Sequence, residues 1–209
     1  MTEQKSIWNQ EISLAHRERL SEDIHADAAV IGGGMAGILT AHFLKAAGVR
    51  AVVLEANRVG SGQTGKTTAK ITSQHGLIYE PLIYHFGMER AQQYADANEA
   101  AVREYRRMVK EQDIPCDFVD CASCLYAVED WQSIAREYEA AEKLGLAADY
   151  REAAELPFVA GKALFFQGQA HFHPLKFLKA VAEPLVIYEQ TKVLHVEKNQ
   201  VYTTGGRVT

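Results

Sequence analysis

No block of basic residues occurs anywhere in the 209-residue chain, whose formal net charge is −5. A phosphate backbone therefore has nothing to track, and nucleic acid is excluded as the expected partner. A membrane span is lacking too: the apolar stretch from Ala28 to Leu54 is interrupted by His42, Lys45 and Arg50. The opening segment MTEQKSIWNQEISLAHRERLSED is charged throughout and has no apolar core of the kind a signal peptide needs. A soluble, cytoplasmic protein is expected. No Pro-rich or Ser-rich linker and no internal repeat divides the sequence, and its size suits one compact domain or a domain with an inserted lobe.

A fourth cysteine is also missing. Cys116, Cys121 and Cys124 crowd into CDFVDCASC, with the C-x4-C-x2-C spacing that opens a plant-type iron–sulfur loop, but such a loop needs four thiolates. An odd count without a secretion signal argues against a disulfide framework as well. The cysteines alternate with Phe118, Leu125 and Ala127 in what reads as a strand, so small buried thiols and no metal site are expected.

What the sequence does contain is glycine in two telling places. DAAVIGG is a short apolar run ending in glycines, MAGILTAHFLKAAG is an Ala- and Leu-rich helix with Gly48 at its C-cap, and VRAVVLEA is a second apolar run ending in Glu55. Strand, glycine turn, helix and strand form a βαβ unit with a parallel sheet. Gly32, Gly34 and Gly37 make G-x-G-x-x-G at the strand–helix turn: the first permits the tight turn, the second the approach of a pyrophosphate, the third close packing. Glu55 lies 18 residues beyond Gly37, where its carboxylate can accept hydrogen bonds from a ribose diol and would repel a 2′-phosphate.

The second place is GSGQTGKT, Gly60 to Thr67, which fits the triphosphate-binding pattern G-x-x-x-x-G-K-[ST]. It is badly placed, because Ala56-Asn57-Arg58-Val59 intervenes after a strand that has already ended at Glu55. An accidental match is expected.

Downstream, GMERAQQYADANEAAVREYRRMVKEQDI reads as one long amphipathic helix with Tyr94, Ala97, Ala101, Tyr105 and Met108 on one face. A strand pair around Cys116 to Val128 follows, then a helix from about Asp130 to Leu144 with Trp131, Ile134 and Tyr138 on one face. Pro174 is placed to open another helix, and the remainder reads as short strands with turns at Lys198-Asn199 and Gly205-Gly206. Tyr79, Tyr84 and Trp131 are expected in the core. His75, His171 and His173 are the nearby titrating groups, with structural hydrogen bonds as the ordinary role of each.

The stretch DAAVIGGGMAGILTAHFLKAAGVRAVVLEANRVGSGQTGKTTAKITSQHGLIY resembles the N-terminus of the FAD-dependent amine and amino-acid oxidoreductases of the D-amino-acid oxidase type, in particular the glycine oxidase and γ-glutamylputrescine oxidoreductase-like branch. The resemblance is strong over 27–79 and fair over 171–209. It implies an α/β fold: a Rossmann-like FAD/NAD(P)-binding domain with an inserted α+β substrate lobe, C-terminally incomplete. It divides the chain into an arm (1–24), a first cofactor segment (25–85), a lobe (86–170) and a second cofactor segment (171–209).

The resemblance further implies FAD as cofactor, held by Gly32, Gly34, Met35, Ala36, Gly37 and Glu55. It places Gln63, Thr64, Thr68, Ala69 and Lys70 along the flavin and Val193 of QTKVLHV at the adenine. A small-molecule amine or amino acid would be the substrate, hydride passing to flavin N5, and oxygen or a Rieske domain of longer relatives the electron acceptor. No catalytic residue follows from it. Two other readings stand beside it: a dinucleotide-binding fragment without catalysis, and a nicotinamide-binding Rossmann domain. The chain alone is expected not to oxidise amines, with a strand opening at Val208 that finds nothing to pair with.

Overall fold

The structure, a computed structural model, describes residues 6–8, 12–152 and 161–209. The chain divides into two compact units. One comprises Met1–Thr68, Ile114–Cys116 and His173–Thr209, the other Ala69–Asp113 and Asp117–Phe172.

In the first unit, two β-branched apolar runs become β1 (Ala28–Ile31) and β2 (Ala51–Leu54), parallel and in register from Ala28↔Ala51 to Ile31↔Leu54. Helix α1 (Met35–Ala46) crosses between them and stops at Gly48, whose φ of +79° is open to glycine at little cost. Asp27 and Arg50 pin the two strand starts together: Asp27 N–H donates to the Arg50 carbonyl, and the Arg50 guanidinium returns to the Asp27 carboxylate at 2.6 Å.

Further on, α4 (Pro174–Ala182) buries Leu175, Phe177, Leu178 and Val181, with Pro174 in its first turn and His173 as N-cap. It leads to β7 (Val186–Tyr188), which pairs in parallel with β2 and gives the order β1-β2-β7. This is the geometry of half a doubly wound nucleotide-binding sheet. A separate antiparallel sheet follows, built from β8 (Val193–Glu197), β9 (Gln200–Thr203) and β10 (Arg207–Val208). The expectation that a strand at Val208 has no partner is overturned. Val208 pairs with Val201, bridges Ile24 and is 3% exposed. The reason is the N-terminal segment, which buries Leu20 against Val52, Leu54 and Val208 and so joins the core instead of hanging free as an arm. Residues 1–5 and 9–11 of that segment lie outside the described residues.

The second unit is organised around β6 (Lys162–His171). It pairs antiparallel with β4 (Val119–Tyr126), with β5 (Ala148–Glu152) and, at its last two residues, with β3 (Lys70–Ile71). The β3 pairing draws 69–85 into this unit, where the sequence suggested a lobe beginning at 86. The expected strand pair around the cysteines is instead one strand, β4, irregular between Cys121 and Ser123. Burial of all three thiols also fails: Cys116 is buried, Cys124 intermediate and Cys121 exposed.

The helix expected from Gly87 is found, starting at a kink at Gly87 (φ +80°), and a further helical stretch from Tyr79 precedes it, the two together making α2 (Tyr79–Glu111). Its buried stripe is Ala91, Ala95, Val102 and Met108, so Ala97 and Ala101 face outward, contrary to the face expected. Helix α3 (Trp131–Lys143) is capped by Asp130, which accepts from Ser133 N–H. Of the aromatics expected in the core, Tyr79 is fully buried and its phenol pKa is raised by that burial, whereas Tyr84 (80% exposed) and Trp131 (55%) stand in solvent.

The early start of α2 has an electrostatic cause. Glu137 on α3 is fully buried, and its two carboxylate oxygens accept the N–H groups of Ile78 (2.9 Å), Tyr79 (2.8 Å) and Glu80 (3.0 Å). One carboxylate thus satisfies the donors that a helix N-terminus leaves over, and adds a negative charge at the positive end of its dipole.

Two outcomes follow for stability. Glu137→Ala removes the acceptor of three donors, one buried and two partly buried, and should lower urea-measured stability by about 2–3 kcal/mol, with Glu137→Gln intermediate because its amide nitrogen cannot accept. Asp27 is held at a pKa of about 2, below its ordinary 3.8, mainly by the Arg50 side-chain hydrogen bond. Its contribution is present above pH 3.8 and is lost as pH falls through about 2, so Asp27→Asn should flatten that limb of an acid titration followed by circular dichroism.

Candidate dinucleotide-binding site

The turn from β1 into α1 is shaped by its own glycines. Gly32 takes φ +105° and donates its N–H to Leu54 C=O at 2.9 Å. A Cβ on Gly37 would run into the carbonyl oxygen of Gly32 and come within 3.4 Å of Val30 Cγ1. The third glycine is therefore required by the turn's own backbone as well as by the strand below. Gly34, the N-cap, offers no side-chain cap, the first turn of α1 holds no acidic residue, and the first internal bond runs from Ile38 N–H to Gly34 C=O. The donors of Ala36 and Gly37 stand at a positive helix end with no acidic residue in its first turn, which is the arrangement that receives a diphosphate.

Glu55 stands beside this turn. One carboxylate oxygen accepts Gly33 N–H at 2.6 Å and the other accepts Asn57 N–H at 2.7 Å. Each oxygen keeps a lone pair free to accept from a hydroxyl.

The GSGQTGKT segment packs on the same turn. Gly60 N–H donates to Gly33 C=O at 3.0 Å, and Thr64 Oγ1 accepts Met35 N–H at 2.9 Å. Residues Gln63–Lys66 form a single 3-10 turn, followed by extended Thr67, not by the α-helix a triphosphate loop feeds. Lys66 is exposed. The triphosphate reading fails on backbone path, and the segment buttresses the first glycine turn. Behind it, Glu189 is 1% exposed: its carboxylate accepts Val59 N–H (2.8 Å) and Arg17 N–H (3.1 Å) and pairs with Arg58 at 2.9 Å. Sequence reasoning passed over Glu189, although an acid directly after the apolar run VIY was a signal of a strand-end anchor.

Gly32, Gly34, Met35, Ala36, Gly37, Glu55 and Thr64 are thus gathered at one end of the parallel sheet, with Gln63 exposed beside Thr64. Val193 opens β8 two residues after Thr191, whose N–H donates to Glu55 C=O at 2.9 Å. Thr68 is exposed at the end of its segment of the first unit, while buried Ala69 (φ +59°) and exposed Lys70 belong to the second. His173 is 5% exposed and caps α4 through Nδ1, a structural role. His75 contacts Asn98 at 3.3 Å.

The second unit has its own cavity, of about 530 Å³, lined among others by Lys70, Thr72, His75, Cys121, Ser123 and His171. Burial, and then the charge of Asp120, pushes the Cys121 thiol pKa up, which disfavours a reactive thiolate. Among the described residues no group of three or more His, Cys, Asp and Glu side chains could hold a metal ion, and no helix is long and apolar enough to cross a membrane.

The family profile described as DAO, FAD dependent oxidoreductase, matches residues 27–209. The chain belongs to that family. The DAO family is one of FAD-dependent enzymes. The chain is 38% identical, over 94% of its length, to a Bacillus subtilis protein named as a Rieske 2Fe-2S iron–sulfur protein, YhfW, and covers 40% of it. It is 26% identical over 92% of its length to the γ-glutamylputrescine oxidoreductase of Escherichia coli, covering 49% of that protein. It therefore spans less than half of either relative. Glycine oxidase from Geobacillus kaustophilus shares the fold, with a TM-score of 0.69 and 20% identity over 88% of this chain and 53% of the other.

The glycines separate stability from binding. Gly37→Ala should destabilise the unit by about 2–4 kcal/mol, because neither backbone in the collision can retreat. At Gly34 a Cβ meets only Thr64 Oγ1, at 3.4 Å. Gly34→Val should therefore leave the thermal midpoint within a few degrees of the parent while dinucleotide retention after desalting is lost.

Proposed function

We propose that this chain binds FAD in its first unit and serves an oxidoreductase acting on the carbon–nitrogen bond of an amine or amino acid. The observation that carries this is the N-terminus of α1 at a glycine turn beside the Glu55 carboxylate, where Thr64 takes the Met35 N–H and the Ala36 and Gly37 N–H groups have no partner among the described residues. Backbone N–H groups of Ala36 and Gly37 would hold the diphosphate, Met35 N–H being held by Thr64, with Gly32 and Gly34 keeping its approach clear. Glu55 would accept from the ribose hydroxyls and exclude a 2′-phosphate. Thr64 fixes the turn through Met35, and Gln63 and Thr68 would line the flavin while Val193 offers its main chain to adenine.

FAD, when bound, supplies the two-electron acceptor for the substrate's C–H bond; orientation and exclusion of water fall to the protein. The cofactor role is assigned to the first unit and substrate contact to the second, whose cavity, lined among others by His75 and His171, is taken as the substrate side. The Rieske name of the Bacillus subtilis relative supports a Rieske domain as an electron acceptor, with oxygen as the other choice. A cytoplasmic location goes with this reading, three cysteines that form no disulfide being what a reducing compartment produces.

The test is reconstitution. Purified protein incubated with FAD and desalted should carry flavin absorbance, and fluorescence titration should favour FAD over NADH. Glu55→Ala should weaken FAD by about tenfold to a hundredfold, the scale of hydrogen bonds to a charged acceptor. Lys66→Ala should leave FAD retention unchanged, and neither protein should bind magnesium-ATP in a calorimeter. Protein that stays colourless and prefers NADH would overturn the proposal, and ATP binding that Lys66→Ala removes would restore the triphosphate reading.

A further inference from the structure

The N-terminal segment is tied to the second glycine segment at both of that segment's ends. At the start, Arg58 donates to Leu14 C=O at 3.0 Å and pairs with Glu189 at 2.9 Å, and Leu14 Cδ1 stands 3.7 Å from where a Cβ on Gly60 would sit. At the end, the Trp8 indole N–H donates to Thr67 C=O at 2.8 Å, its ring edge-on to the His173 imidazole with centroids 5.1 Å apart. Residues 17–20 run alongside 189–191: Arg17 N–H donates to Glu189 Oε2 at 3.1 Å, Glu189 N–H to Glu18 C=O at 3.1 Å, and Leu20 N–H to Thr191 Oγ1 at 3.0 Å. All of these residues belong to the first unit.

The hold is apolar at one end and polar before it. Leu20 is 1% exposed, whereas a cavity of about 140 Å³ is left where Leu14, Ala15 and Arg17 meet Val59, Lys179 and Ala182. A gap of that kind forfeits dispersion contacts, so residues 14–18 are held chiefly by hydrogen bonds. The Arg17 guanidinium supplies two of them, to Ala182 C=O at 3.1 Å and Glu183 C=O at 3.4 Å, where its charge also meets the negative end of the α4 dipole. Such a stretch can open locally while Leu20 stays in the core. What it holds leads straight to the first turn: Gly60 N–H bonds Gly33 C=O, and Thr64 takes Met35 N–H. The second glycine segment has one four-residue 3-10 turn and no strand or α-helix of its own, so its position depends on what grips it.

We infer that the N-terminal segment is a strap on the cofactor site: seated, it keeps the second glycine segment against the first turn and retains FAD; released, it lets the dinucleotide go. Arg17 is the positioning residue that seats it, acting through α4 and Glu189. The inference rests on the proposed function for FAD as the ligand, while the coupling of strap to turn holds in the cofactor-free protein. Linkage requires the reverse effect too: bound FAD steadies the strap by the factor by which the strap strengthens FAD.

The experiment uses the full chain with Trp131→Phe, which leaves Trp8 as its one tryptophan. Arg17→Met removes the hold on α4. It should shift Trp8 emission to the red as the indole leaves His173 for water, speed amide exchange at Gly60 and Met35 by about tenfold, and speed FAD loss by about threefold to tenfold, the scale of one or two hydrogen bonds. Val53 and Leu54, on the central strand of the parallel sheet, should exchange as in the parent, which separates release of the strap from a general loss of stability. Arg17→Lys, which keeps the cation, should fall nearer the parent. Trp8→Phe keeps a ring against His173 and removes the N–H; it should speed FAD loss by about threefold, and it decides the question should Arg17→Met not fold. Unchanged Trp8 emission in Arg17→Met, unchanged exchange at Gly60 and Met35, faster exchange that Val53 and Leu54 share, or FAD loss at the parent's rate in either variant overturns the inference. The exchange measurement needs no flavin, so a parent that retains no FAD defeats the cofactor assignment while the strap is still judged by Gly60 and Met35.

Discussion

The Glu55 residue is the constraint on which the first unit depends. Its N–H donates to Tyr188 C=O, its carbonyl accepts Thr191 N–H, and its carboxylate oxygens hold Gly33 N–H and Asn57 N–H. Three chain segments far apart in sequence, the turn after β1, the exit of β2 and the turn after β7, meet on one side chain and its peptide groups. A carboxylate suits this because it accepts from both oxygens with no donor of its own to satisfy. The same chemistry that would recognise a ribose diol also shapes the turn, so shape and recognition are not separable at this position.

Carboxylates do comparable work twice more. Glu189 gathers Val59, Arg17 and Arg58, and Glu137 gathers three donors at the start of α2. Each is nearly or fully buried, yet each directs its oxygens at backbone N–H groups, which offsets the cost of taking the charge out of water. Buried acids of this kind leave a faint trace in a sequence. Their partners are main-chain donors, which every residue has, and nothing in residue identity shows where a distant helix will end. The long helix was legible from its periodicity, but not its start at Tyr79, because that start depends on Glu137 some fifty-eight residues away.

The βαβ unit was legible because its information is local: β-branched runs, glycines that a Cβ would spoil, a C-cap at Gly48. The turn at Gly205-Gly206 was equally plain, but not why glycine is needed there. A Cβ at either would strike the Leu20 or Glu22 carbonyl of the N-terminal segment, a contact made across the whole length of the unit. That close approach is also what seats Ile24 beside Val208. Aromatic side chains were the least legible feature. Tyr79 and Tyr84 sit in one helix five residues apart, and whether such a ring is buried depends on the turn of the helix about its axis, which Gly87 breaks soon after.

The two glycine segments show why a motif must be read through its backbone. G-x-x-x-x-G-K-T specifies residue types; phosphate binding needs N–H groups converging on one point, with a helix behind them to sustain the field. Here Gly60 spends its N–H on Gly33 C=O, a Cβ on it would collide with Leu178 and Leu175, and the four-residue turn that follows is too short to build a helix dipole. The first turn has the opposite character. Its Ala36 and Gly37 donors have no partner among the described residues, and the second segment takes only Met35 N–H, through the Thr64 side chain. One segment thus has the sequence of an anion site and the hydrogen bonds of a brace, and it is the brace that keeps the other segment's donors aligned.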